Sequence, residues 1–158
     1  KRKAMKALIR KDLVFAIAML MPCLASAQSK ANQCNLENGV AIQGYDPVSY
    51  FKEKKAVQGR KELAYQHDGV TYYFSSAANK NAFAVSPAAF EPQYGGWCAY
   101  AMGATGEKVE IDPETFKVVE GKLYLFYNRF FNNTLPKWNK EEAALKTKAD
   151  MNWMKFIK

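Results

Sequence analysis

Residues 63–74 read LAYQHDGVTYYF, and this stretch decides the fold class. Leu63 and Tyr65 alternate with polar neighbours, and Val70, Tyr72 and Phe74 resume the alternation beyond Asp68-Gly69. Period-two apolar spacing is that of a half-buried strand, and Asp-Gly accepts the positive φ angles of a two-residue turn. The stretch therefore predicts a β-hairpin. Ser75 and Ser76 follow it, with oxygens able to accept the free amide hydrogens of a first helical turn. A short helix is expected from there to Val85, where Ser86-Pro87 stops it.

Outward from this hairpin the pattern stays mixed. Asp46-Pro47 is a turn signal, and Val48-Ser49-Tyr50-Phe51 reads as a short strand. Residues 87–96, PAAFEPQYGG, sustain neither helix nor strand, because Pro92 lacks an amide hydrogen and the Gly pair admits positive φ. The chain turns there to present Trp97-Cys98-Ala99-Tyr100. Phe116–Val119 and Leu123–Tyr127 flank Glu120-Gly121 as a second hairpin. Near the end, Asn139 and Glu142 suit a capping box, and Leu145, Ala149 and Trp153 recur every four residues as one apolar helical stripe. The expected fold is α+β: a small, mostly antiparallel sheet with two hairpins, a short helix after the first hairpin and a C-terminal helix.

The beginning of the chain reads differently. Lys1, Arg2, Lys3, Lys6, Arg10 and Lys11 precede an apolar run from Leu13 to Ala25, closed by Ala25-Ser26-Ala27. This is the charge, apolar run and small-x-small order of a signal peptide, expected to be cleaved after Ala27. The run is shorter than the roughly 20 residues that span a bilayer. The expected organisation is a signal peptide over 1–27, a flexible tether over 28–38 and one domain over 39–158, exported to the periplasm or the exterior, with no membrane span after cleavage.

Cleavage leaves seventeen basic and fourteen acidic residues, so the net charge falls from +8 to +3. The remaining charges are intermixed. Nucleic-acid binding needs a basic stripe, and none is visible.

Two cysteines lie beyond the signal peptide, Cys34 and Cys98. In an oxidising compartment an even pair invites a disulfide. The alternative is that Cys98 acts alone. Cys98 and Met102 are four residues apart, so a helix would place both sulfurs on one face, and soft thiolate and thioether donors favour Cu(I). His67 is the sole histidine, at the hairpin turn, and completes the candidate metal residues Cys98, Met102 and His67. Tyr94, Trp97 and Tyr100 surround Cys98 in sequence and are the candidate walls of a ligand pocket. One histidine without a G-x-S-x-G elbow argues against a hydrolase, and no closely spaced Cys or His pair provides a closed zinc site. Asp46, Asp68 and Asp112 each precede Pro or Gly, so turn formation accounts for them.

The blocks GYDPVSYF (44–51), GVTYYFSS (69–76), Phe83, Pro87 and QYGGWCAYAMG (93–103) resemble the YHS domain family. The similarity is greatest to its extended form in small exported bacterial proteins, where DPETFKVVEGKLYLFYN (112–128) and a closing helix with Ala149-Asp150 and Asn152-Trp153 have counterparts. The resemblance implies metal binding, copper first, through cysteines in patterns such as DPVCGM and YYFCSxxC. The corresponding residues here are Ser49, Ser75 and Asn79. The family's thiols are therefore absent at all three positions, and Cys98 is the cysteine that remains within the similar blocks. The resulting expectation is a non-enzymatic exported domain that binds a small ligand or a soft metal ion, copper first, beside Cys98. The alternatives are a thiol redox protein acting through Cys98 and a structural or interaction module.

Overall fold

A computed structural model describes residues 31–157. The expected signal peptide, 1–27, lies outside the described residues. The architecture is α+β, with one four-stranded sheet and two two-stranded hairpin sheets.

The sheet is built from β1 (Leu36–Glu37), β2 (Val40–Ala41), β3 (Arg60–His67) and β4 (Val70–Phe74), in the order β1-β2-β4-β3. The decisive stretch forms its hairpin as expected, with His67 opposite Val70 and Asp68 and Gly69 in the turn at φ 49° and 80°. Val70, Tyr72 and Phe74 are buried on one face while Thr71 and Tyr73 are half-exposed on the other. The sheet is mixed, because β2 runs parallel to β4.

Residues 31–38, expected as part of a flexible tether, instead lie against the domain. Leu36 and Glu37 pair with Ala41 and Val40, and the Asn35 amide donates to the Gly95 carbonyl at 2.8 Å. Polar composition hid this, since the partners of the segment are distant in sequence: Gly95 and Gly96 for Asn35, Trp97 and Lys108 for Gln33.

The expected strand at Val48–Phe51 is also replaced, by a helical turn, α1 (Ser49–Lys52). The Asp46 carboxylate accepts the amide hydrogen of Val48 at 2.8 Å and so nucleates a turn where the apolar residues alone suggested extension. Ser76 caps α2 (Ala77–Val85) as expected, accepting from the Asn79 amide at 3.1 Å. Next come α3 (Ala99–Ala104) and the second hairpin, β5 (Asp112–Val119) with β6 (Lys122–Phe126). That hairpin does not extend the main sheet; a single bridge, Pro92 to Leu123, touches it.

A further hairpin, β7 (Asn128–Arg129) and β8 (Asn132–Asn133), leads to α4 (Leu135–Lys140) and α5 (Glu142–Trp153). The Asn139–Glu142 capping box does not form. Asn139 lies inside α4, α5 starts after Glu141 without a side-chain cap, and Lys117 takes both Asn139 Oδ1 and Glu142 Oε2, at 2.9 and 2.6 Å.

The apolar side chains form two cores. The first gathers Val48, Tyr50, Tyr72, Phe74, Phe83 and Cys98 under the sheet. The second gathers Tyr94, Met102, Tyr124, Phe126 and Trp138 with Leu145 and Ala149 of α5. The stripe on α5 therefore packs on α3 and on the β5–β6 hairpin. Gly103 makes the close approach possible, since a Cβ there would lie 2.5 Å from the Leu145 carbonyl oxygen.

Candidate functional site

Residues 92–96 form a sharp turn. Tyr94, Gly95 and Gly96 all have left-handed φ, at 54°, 60° and 83°. Glycine accepts this freely, whereas a residue as large as Tyr does not. Gly95 has a second reason to lack a side chain: a Cβ would come within 2.9 Å of Trp153 and 3.2 Å of the Cys34 Cα. Tyr94 is held in place by its hydroxyl, which donates to Asp150 Oδ1 at 2.9 Å, and by rings of Tyr124 and Trp153 at 6.0 and 6.5 Å. Backbone strain held by its surroundings is characteristic of binding sites.

This turn faces the end of α5 across a groove of about 690 Å³. Tyr72 lines it from the sheet, Ile42 from the helical turn after β2, Tyr94 and Gly95 from the 92–96 turn, Asp150, Trp153 and Phe156 from the helix end, and Gln33 and Cys34 from the opening segment. Small-molecule sites occupy about 300–1,000 Å³ and combine apolar walls with a few placed polar groups. The groove matches on both counts. Among the described residues its charged groups are Glu91, Asp150 and Lys122. Glu91 accepts from the Tyr72 hydroxyl at 3.3 Å, and Asp150 keeps one carboxylate oxygen beyond the one that Tyr94 uses. Burial, with the neighbouring carboxylates, holds the Tyr72 and Tyr94 phenols above their ordinary pKa, so both stay donors.

The expected metal residues are not brought together. Cys98 is fully buried in the first core, where its Sγ accepts the Tyr127 amide hydrogen at 3.3 Å and lies 3.5 Å from the Thr134 hydroxyl. Met102 is fully buried in the second core. Cys98 is the residue before α3, its carbonyl accepting the Met102 amide hydrogen at 3.0 Å, and the two side chains are buried in different clusters. The His67 ring is elsewhere again, its Nε2 3.4 Å from Asp68 Oδ2 and 3.9 Å from Glu91 Oε1. Among the described residues no group of three or more His, Cys, Asp or Glu could hold a metal ion. Cys34 and Cys98 do not form a disulfide.

The expected pocket walls also separate. Tyr94 lines the groove, while Tyr100 lines a second cavity of about 370 Å³ that Cys98, Tyr127 and Thr134 share. Trp97 lines neither; its indole N–H donates to the Gln33 carbonyl at 2.7 Å and pins the opening segment.

The three positions that the resemblance marks for thiols do converge, around Asp46. Asp46 Oδ2 accepts from the Ser75 amide (2.8 Å), the Ser75 hydroxyl (2.7 Å) and the Asn79 side-chain amide (2.8 Å). The Ser49 hydroxyl reaches the Asp46 carbonyl at 2.8 Å. Asp46, with no exposed surface, thus does more than shape its turn. These donors are hard oxygen and amide groups already engaged with one another, and they do not fit a soft metal ion.

Sequence reasoning missed Glu91, Asp150, Phe156 and Tyr72 as groove residues. The one signal was the Tyr94-Gly95-Gly96 run, which marked a sharp turn without showing what it faced. Comparison of the chain with protein-family models, curated protein sequences and solved structures finds no match. No helix among the described residues is long and apolar enough to cross a membrane.

Proposed function

We propose that this chain is an exported, non-enzymatic binding domain related to the YHS family, whose ligand is a small molecule seated between the 92–96 turn and the end of α5. The observation that carries the reading is the groove itself: aromatic walls from Tyr72, Tyr94 and Trp153, with the carboxylates of Glu91 and Asp150 at the same surface. That pairing selects a flat or chain-like apolar body bearing an ammonium or hydroxyl donor. The convergence of Ser49, Ser75 and Asn79 on Asp46 supports the family relation, with a hydrogen-bonded carboxylate in place of thiols.

A ligand role for Cys98 is weaker. Its sulfur already accepts an amide hydrogen and has no exposed surface. Burial also removes the access that a thiol redox centre needs.

The test is a titration followed by tryptophan fluorescence, because Trp153 lines the groove. Phenethylamine should bind and phenylpropionate, of similar body and opposite charge, should bind less. Asp150→Asn keeps an acceptor for Tyr94 while removing the charge, and should weaken the amine alone. Equal response to both probes, or none, would overturn the reading.

A further inference from the structure

Four two-residue hairpin turns are present among the described residues, and they set a standard for one another. Asn38-Gly39, Asp68-Gly69 and Glu120-Gly121 each place a first residue near φ 50° and glycine second, at φ 81°, 80° and 70°. The β7–β8 turn has the same shape, with φ 52° and 60°, yet its two residues are Phe130 and Phe131. Two bulky residues in left-handed conformations are costly at a turn that Asn-Gly would close without strain. Both rings also point away from the domain, Phe130 at 89% and Phe131 at 112% relative exposure. The turn thus bears two costs together, backbone strain and exposed aromatic surface, at a point where folding requires neither.

The base beneath this tip is fixed. Thr134 donates both its amide and its hydroxyl to the Tyr127 carbonyl, at 3.0 and 2.9 Å, and Asn128 donates to the Thr115 hydroxyl at 2.9 Å. The flanking sequence is basic. Arg129, Lys137 and Lys140 are exposed, and the chain has no acidic residue between Gly121 and Lys140. Lys137 is tied to the hairpin through Asn132 Oδ1 at 2.8 Å. The nearest acidic residues that follow are Glu141 and Glu142, of which Glu142 pairs with Lys117.

We infer that the β7–β8 hairpin is a peripheral membrane contact: Phe130 and Phe131 enter the interfacial zone of an anionic bilayer, and Arg129, Lys137 and Lys140 engage its headgroups. Apolar insertion combined with basic flanks is the physical basis of interfacial binding. A protein partner is a poorer fit. A stable protein interface covers roughly 800 Å² on each side, whereas two rings on a convex tip offer about 300–500 Å². A fluid interface closes around a narrow wedge without needing a matching concavity.

The test uses the full chain and vesicles of equal parts phosphatidylglycerol and phosphatidylethanolamine, with phosphatidylcholine vesicles for comparison. In Phe131→Trp the added indole reports from the tip itself. Brominated lipid should quench it beyond the fluorescence loss of the parent, on anionic vesicles more than on neutral ones. Phe130→Asn/Phe131→Gly should leave the thermal midpoint equal or higher and weaken the hairpin-dependent partitioning about tenfold or more. Absence of added quenching in Phe131→Trp, or unchanged partitioning of the Asn-Gly variant, would overturn the inference.

Discussion

The Tyr94 hydroxyl and Asp150 Oδ1 are joined by a 2.9 Å hydrogen bond that spans 56 residues of chain and fixes the width of the groove between turn and helix. Tyr94→Phe removes the donor and keeps the ring. A hydrogen bond to a charged acceptor contributes about 1.5–3 kcal/mol, reduced here because Asp150 is exposed to water. A loss of about 1 kcal/mol is expected in urea unfolding. No loss would mean that the turn is held by ring packing alone.

Stability should fall in alkali. Burial is the first cause that raises the phenol pKa of Tyr50, Tyr72 and Tyr94 above the ordinary value of 10.0. The folded state favours the neutral phenol, so the stabilisation is fully present below pH 10 and is lost as the pH rises further. Tyrosinate absorbance from these residues should appear together with loss of the fold. Their smooth titration in a still-folded protein would contradict their burial.

Asp46→Ala should cost about 3–5 kcal/mol, because the Val48 amide and the Ser75 amide and hydroxyl would lose their acceptor, while Asn79 would keep only its longer contacts to Ser75 and Glu53. Asp46→Asn should rescue little, since its amide hydrogens would face donors. Chemical denaturation of both variants checks this, and a loss below about 1 kcal/mol in either would remove Asp46 as the organising group.

Gly103→Ala separates local propensity from packing. In an isolated helix the change would stabilise by about 1 kcal/mol. Here the new Cβ meets the Leu145 carbonyl oxygen at 2.5 Å, so a net loss of about 2 kcal/mol is expected as α3 is pushed from α5. A gain would mean that the two helices separate easily.

Elements governed by local chemistry were legible in the sequence. Asp68-Gly69 and Glu120-Gly121 announce their hairpins through the φ angles they accept, and Ser76 announces its cap through its oxygen. Readings failed where a distant partner decided. Val48–Phe51 has the composition of a strand, but the Asp46 carboxylate curls it into α1. Asn139 has the chemistry of a cap, but Lys117 of β5 claims it. The candidate site suffered most, because a groove is a relation between residues far apart in the chain. Tyr94 was visible beside its glycines, whereas Asp150 and Phe156 looked like parts of an ordinary helix end. Cys98 drew attention as a rare residue type, and the fold places it in the core.

The most direct measurement is a chemical-shift map of the isotope-labelled protein titrated with phenethylamine. The account predicts that shifts concentrate on Ile42, Tyr72, Tyr94, Gly95, Asp150 and Trp153, which line the groove. Shifts centred instead on Cys98, Tyr100 and Tyr127, or no saturable shifts at all, would contradict it.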